Sequence, residues 1–437
     1  MLIEISIENF GPFRDRQTLS FEATKDNDLA NYYVAEPIKG LRLLKLCMLY
    51  GPNASGKSFV LFALENVRLM ISKPPMQKDE KLYFNPFQLD TFSKETPTTI
   101  EISFVKQEIR YSYFISWNEH MILNEKLYYY PKGRQAVHFE RETDKKTGIS
   151  SLQFGSTVQS SSTDIDVLTG NLLSNVTVLG AYRRSNVYLN DLAAVLEWFL
   201  EDLMALVTPN TSLTRFAGDF IEKNPMAKDM IMNQLKLADL QISDMEIETY
   251  DTDSTLKEIR ELPLNREIAQ QIEQKVKTGL IKRQTIRFLH KAFLPDGTMQ
   301  EFWLSMANES DGTMRYFGLS SILAILSQGT RIGGIDELES ALHPDLMKHF
   351  LLQFLINTQQ SQLLVSTHNA LLLDDKDILR PDTIWFTQKA NDGSSSLYSL
   401  SDFDSKIYRK GGSILNAYKS GRLGAKPDTI HMPVALN

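Results

Sequence analysis

The chain has 437 residues, 42% hydrophobic and 23% charged, with 22 glycines and 16 prolines, the composition of a chain that buries a core and not of a disordered one. Its one cysteine, Cys47, excludes an intramolecular disulfide framework. No apolar run approaches the roughly 18 to 20 residues that span a bilayer, so transport by this chain alone is excluded, and a net charge of −7 offers no global attraction to nucleic acid. The N-terminus shows no signal-peptide pattern, and a cytoplasmic protein is expected.

In chain order, Ile3, Ile5 and Ile7 alternate with Glu4, Ser6 and Glu8, the period of a half-buried strand. Asn9-Phe10-Gly11-Pro12 turns the chain, and Arg14 follows. The apolar stretch Leu43 to Tyr50 predicts a strand that runs into a glycine-rich loop and a helix from Lys57 to Met70. Between 98 and 130 the alternation predicts an antiparallel meander, closed by a turn at Tyr130-Pro131-Lys132-Gly133. Residues 144 to 170, polar and rich in Ser and Thr, read as a loop. From Leu192 to Val207 the apolar residues fall at helical spacing with Asn190 as cap, and further helices are expected at 212–238 and 264–292.

After residue 310 the pattern alternates: helix from Met314 to Gln328, a strand ending at Ile335, helix from His343 to Thr358, and a strand from Gln362 to Ser366. That is βαβ grammar with a parallel sheet. The expected fold is therefore α/β, with the N-terminal part of a head at 1–140, a mainly helical insertion at 141–300 and the C-terminal part of the head at 301–437.

Gly51-Pro52-Asn53-Ala54-Ser55-Gly56-Lys57-Ser58 matches GxxxxGK[ST] without a gap. The pattern presents backbone N–H groups and a helix N-terminus to phosphates, with Lys57 on the β- and γ-phosphates and Ser58 on Mg²⁺. Ile335-Asp336-Glu337 closes a strand. Alone, such a pair is usually a solvated turn; beside a phosphate loop, Asp336 suits the magnesium shell and Glu337 the orientation of water. Leu363 to Thr367 is an apolar strand that delivers His368 at its carboxyl end, where parallel sheets bind ligands. Ser310 and Gly312, in Glu309-Ser310-Asp311-Gly312-Thr313, offer a hydroxyl and an open backbone at a helix start, although that pattern alone is a common cap.

This order of motifs resembles the ABC/SMC-type ATPases, with an α/β P-loop head and an inserted region. The resemblance makes residues 309–313 a degenerate signature loop, Ser340-Ala341-Leu342-His343 a D-loop and His368 the switch histidine. It implies ATP and Mg²⁺ as cofactors, contacts from Gly51, Asn53, Ala54, Ser55, Gly56, Lys57, Ser58 and Phe59, and Lys57, Glu337 and His368 as catalytic groups. Ser310 and Gly312 of one copy would reach the ATP of another, giving a homodimer or higher oligomer of ATP-sandwiched heads. Gln88, in Pro86-Phe87-Gln88-Leu89, is the candidate Q-loop ligand beside Ser58 and Asp336, with Gln107 as a second candidate. Arg14 resembles the basic residue that SMC-like heads hold near the phosphates, and reads equally well as a surface arginine.

More narrowly, Tyr50 to Ser58, Asp336 to Pro344 and the tail Ala417 to Ala425 resemble the OLD/RloA (AbiL, PARIS-type) group of anti-phage defence ATPases. The middle of the chain matches only loosely. OLD-type proteins add a nuclease domain that needs a glutamate, and no glutamate follows His368. Asp402-Phe403-Asp404 is therefore expected to be a polar turn, and any nuclease, TOPRIM-type or other, a separate effector protein. Two basic clusters, Arg183-Arg184 and the set Lys275, Lys277, Lys282, Arg283, Arg287 and Lys291, suit either a solvated face or a surface that binds a phosphate backbone, as of DNA, or a protein partner. A DNA-clamping or DNA-repair ATPase is accordingly the alternative function.

Overall fold

The computed structural model describes residues 1–158, 160–238, 240–249, 252–261, 265–278, 284–375, 378–404 and 412–426. Two compact units divide it. One joins Met1–Pro209, Leu326–Glu339 and Leu351–Asn437; the other joins Asn210–Ile325 and Ser340–Phe350. The first unit thus runs well past residue 140, because residues 141–209 are packed into its core and are not part of the insertion.

The first unit holds a five-stranded sheet ordered Ile332–Ile335, Gln362–Ser366, Leu46–Tyr50, Ile384–Lys389 and Ser395–Ser399. The first four strands are parallel, and the last returns antiparallel. Leu46–Tyr50 is buried along its whole length, as a central parallel strand covered on both faces must be. The expected stretch from Leu43 splits: Leu41–Leu44 pairs instead with Val34–Ile38 in a separate hairpin.

A seven-stranded antiparallel sheet completes the unit. Its order is Ser150–Phe154, Ala136–Thr143, Ile122–Tyr129, Ile109–Trp117, Thr98–Lys106, Leu2–Glu8 and Gln17–Ser20. The helix Lys57–Ser72 buries Val60, Leu61, Ala63, Leu64, Val67, Met70 and Ile71 and packs on the first strand and on Gln362–Ser366. Each large apolar side chain so buried contributes about 1.5–3 kcal/mol. A charge at Val67 would break that face.

Three expectations are corrected here. The polar segment 144–170 is structured. Asp144 closes a turn by accepting the N–H groups of Lys146 and Thr147, Ser150–Phe154 pairs with Ala136–Thr143, and Ser161 with Asp164 forms a capping box for a helix at Ser162–Asn171. The Ser and Thr residues that suggested a loop are caps and edge residues.

The helix expected to run to Val207 ends at Glu197, after a start at Asn190 that uses no side-chain cap. Trp198–Asp202 forms a wider π turn. Leu203 and Val207 then bridge in parallel to Ile332 and Ile335, so apolar residues at helical spacing become an extension of the sheet.

In the second unit, Leu213–Lys223, Pro225–Leu237 and Arg266–Lys277 are helical, but Gln284–Phe293 is a strand. It lies between Ile242–Thr249 and Met299–Ser305 in an antiparallel sheet. Ile286 and Phe288 are buried at a period of two, which a single helix over 264–292 would not produce.

Candidate functional site

The strand Leu46–Tyr50 ends in a loop built around close approaches. Gly51 has φ 155°, and a Cβ there would lie 2.4 Å from the Thr387 carbonyl oxygen, so no larger residue fits. Thr387 also meets the Ser55 hydroxyl at 2.6 Å, and Ser55 Oγ donates to the Pro52 carbonyl at 2.8 Å. Gly56 has φ 108° at the start of the helix, and a Cβ there would meet the Phe13 ring at 2.8 Å. These contacts hold the loop open around its own N–H groups, a cradle that suits phosphate oxygens.

Lys57 is buried and its Nζ donates to the carbonyls of Gly51 and Pro52 at 2.9 and 3.0 Å. Burial pulls its ammonium below the ordinary lysine range, opposed by Asp336, Glu339 and Glu337. The Ser58 hydroxyl donates to Asp336 Oδ1 at 3.0 Å, and the Ser366 hydroxyl bonds to the same oxygen. Asp336 leaves the strand Ile332–Ile335 directly, and Glu337 follows in the left-handed region at φ 49°. That conformation is uncommon for a glutamate and is held by the Glu337 N–H on Ser366 Oγ at 2.9 Å.

Lys57, Ser58, Gln88, Glu337 and His368 line one cavity of about 510 Å³, together with Asn53, Ala54, Gly56 and Phe59. Burial, and then Lys57, push the His368 imidazole below its usual range, opposed by Glu339, Glu337 and Asp336, so the ring is neutral near pH 7. Gln88, whose amide donates to the Pro86 carbonyl at 2.9 Å, is in place on the cavity wall. Gln107 is not. It sits in the tight turn between Thr98–Lys106 and Ile109–Trp117, at φ 52°, and lines a different cavity beside Lys106 and Arg331. Arg14 is half-buried and held by Asp15 and Asp392 at 2.9 and 2.8 Å. Its guanidinium lies over Phe87, 5.8 Å from the ring centre.

Ser310 and Gly312 belong to the second unit. Ser310 Oγ accepts the Thr313 N–H at 3.1 Å, capping the helix Asp311–Ser327. A Cβ on Gly312 would lie 2.9 Å from the Ala341 carbonyl. The signature-like loop and the D-loop-like stretch therefore touch, and glycine is what permits it. Glu309, just before, is tied to His290 at 2.7 Å.

Most described members of the basic clusters are occupied. Arg183 and Arg184 donate to the carbonyls of Ser72, Pro74 and Pro75. Lys277, Arg287 and Lys291 pair with Glu273, Glu246 and Glu301, while Lys282 and Arg283 lie outside the described residues. Asp402 accepts the Ser399 N–H in a capping box, as a polar turn residue does. In the tail, Tyr418 stacks on Phe386 at 5.8 Å, and the Leu423 carbonyl accepts from the Tyr398 hydroxyl at 2.8 Å.

Residues 46–163 and 213–374 match the family described as "AAA domain, putative AbiEii toxin, Type IV TA system". The chain belongs to this family. That membership and the loop geometry make this an AAA-type domain with a phosphate-binding loop. No curated protein sequence matches it significantly. Among solved structures, the SMC head domain from Thermotoga maritima is 13% identical, with 91% of this chain and 98% of that chain covered and a TM-score of 0.40. A SmcHead bound to the C-winged helix domain of ScpA is 12% identical, covering 91% and 97%, with a TM-score of 0.40. The Smc head from Pyrococcus furiosus with an extended coiled coil, bound to the C-terminal domain of ScpA, is 12% identical, covering 97% and 99%, with a TM-score of 0.36.

The residues present fit a magnesium nucleotide. Ser58 and Asp336 supply hard oxygens, of the kind Mg²⁺ takes in ones and twos beside phosphates, and the loop supplies the cradle. When bound, Mg-ATP brings the phosphoanhydride and the metal's charge. No helix among the described residues is long and apolar enough to cross a membrane. Sequence reasoning missed Ser366, Thr387 and Glu339. All three lie at or near the carboxyl end of the parallel strands, and that position was the signal that could have found them.

Proposed function

We propose that this chain binds and hydrolyses ATP as an ABC/SMC-like head completed by a second copy of itself. In this reading it serves as a nucleotide-driven sensor or switch of anti-phage, abortive-infection defence and controls a separate effector nuclease. The observation that carries it is the convergence of Lys57, Ser58, Gln88, Glu337 and His368 on one cavity, with Ser58 bonded to Asp336. Lys57 would neutralise phosphate charge and Ser58, Asp336 and Gln88 would hold Mg²⁺. Glu337 would orient water from a main chain fixed by Ser366, and a neutral His368 would contact the γ-phosphate. Ser310 and Gly312, fixed on a helix start, are the groups offered to the other copy.

The defence role is supported by the wording of the family description, which names a putative AbiEii toxin and a Type IV TA system, and by the resemblance to the RloA and OLD group. A DNA-clamping role has less support, because the arginines and lysines that would serve it are largely engaged by carbonyls and carboxylates.

The test is turnover and molecular size of the wild type and Glu337→Gln in Mg-ATP, with and without duplex DNA. Glu337→Gln is expected to lose at least about 100-fold in turnover and to stay associated in ATP. A mutant that turns over at the wild-type rate sinks the assignment of Glu337. Stimulation by DNA would move the reading to clamping.

A further inference from the structure

Glu339 carries a carboxylate whose two oxygens have different fates. Oε1 accepts the main-chain N–H of His368 at 2.5 Å. Oε2 is buried and has no hydrogen-bond partner, a costly state for a carboxylate. The bond to His368 is the last of three that stitch residues 337–339 to the end of the neighbouring strand. The Glu337 N–H donates to Ser366 Oγ at 2.9 Å, and the Leu338 N–H donates to the Ser366 carbonyl at 3.0 Å. Beyond Ser366 the strand has ended, and the Glu339 side chain supplies the acceptor that the main chain of a continuing strand would have supplied.

One further fact bears on its purpose. Glu339 is the last residue of the nucleotide-binding unit before the chain passes, at Ser340, into the stretch assigned to the second unit. A side chain at that crossing, fixed to the main chain of a cavity-lining histidine, ties the position of one to the path of the other.

We propose that Glu339 is a positioning residue for His368: its carboxylate fixes the main chain of the sensor histidine, so turnover depends on a residue that leads directly into the D-loop-like stretch. This rests on the ATPase reading above. The reach of the side chain is the essential quantity. Glu339→Gln keeps the length and an acceptor oxygen; Glu339→Asp keeps the charge and draws it back by one methylene; Glu339→Ala loses both.

The experiment uses the full chain and measures Mg-ATP turnover, affinity for a fluorescent ATP analogue, and Tm. Turnover in Glu339→Ala and Glu339→Asp is expected to fall at least about tenfold, with affinity within about threefold of wild type, as for an interaction used after binding. Glu339→Gln is expected to stay within about threefold of wild type in both. Should Glu339→Ala fail to fold, the contrast between Asp and Gln still decides. The proposal is overturned if Glu339→Asp turns over like wild type, if Gln is as impaired as Asp, or if affinity falls in step with turnover. A wild type that does not hydrolyse ATP removes the ATPase reading as well. Normal wild-type turnover with an unimpaired Glu339→Asp removes only the role of Glu339.

Discussion

The two units arrange their charged groups differently. In the nucleotide-binding unit the groups around a buried Lys57 share partners, so Asp336 takes both Ser58 and Ser366 and Lys57 is wrapped by its own loop. In the second unit several charges pair across side chains 37–57% exposed, as in Arg287–Glu246 at 2.7 Å and Lys291–Glu301 at 3.0 Å. One aromatic pair from each unit also differs in burial. Trp198 is fully buried and stacks on Phe104 at 4.0 Å, whereas Phe302 and Trp303 stand 37% and 39% exposed. Burial amplifies every polar contact and penalises every unpaired one, so the first unit is shaped for chemistry. In the proposed dimer the second unit's contribution would be concentrated in one short loop, at Ser310.

The largest effect should come from testing that concentration. Lys57→Ala and Ser310→Ala are each expected to abolish turnover as pure preparations. If one copy's Ser310 serves the other copy's Lys57, an equal mixture contains mixed dimers with one intact site and regains about a quarter of wild-type activity. No recovery on mixing, with both variants folded and associating, would show that the two residues act within one copy.

Next in size is the aromatic contrast. Trp198→Ala is expected to cost about 3–5 kcal/mol in denaturant unfolding, as large core deletions do, whereas Trp303→Ala, on the exposed sheet, should cost well under half as much. Equal losses would mean that the exposed sheet contributes as much to stability as the buried core does.

The smallest expected effect sharpens the electrostatic side. His138 is fully buried, 3.8 Å from the nearest Asp191 oxygen and with neither ring nitrogen hydrogen-bonded, and burial lowers its pKa to about 4. The unfolded chain, with a histidine near its ordinary value of about 6.5, binds the proton first. Stability is therefore full above about pH 6.5 and is lost as pH falls toward 4. Between pH 7 and pH 5 the wild type should lose up to about 2 kcal/mol more than His138→Phe. Identical pH profiles for the two proteins would refute a neutral, buried His138.

How much was legible beforehand follows from how local each feature is. The phosphate loop is eight consecutive residues whose glycines, lysine and serine act within one turn of chain, so their pattern and their geometry are nearly the same statement. The strand at Gln362–Ser366 was equally plain, because a parallel strand buried on both faces reads as a short apolar run between helices; of Ile332–Ile335 only the end was plain, because Gly333 and Gly334 blur its start. The segment 284–293 misled because, seen locally, it continues the charged pattern of the helix before it. Only the pairing with Ile242–Thr249 and Met299–Ser305 makes it a strand.

By itself the sequence determined that this is an α/β nucleotide-binding protein, that Lys57, Ser58, Asp336, Glu337 and His368 are its candidate site, and that the acidic pair follows a strand. The tertiary structure alone put Gln88, and not Gln107, on the cavity with Lys57, turned Leu203–Val207 from helix to sheet edge, and brought Ser366, Thr387 and Glu339 to the site. The physical reason is the same in each case. Those choices depend on hydrogen bonds between residues 29 to more than 300 positions apart, and no local propensity encodes such a partner.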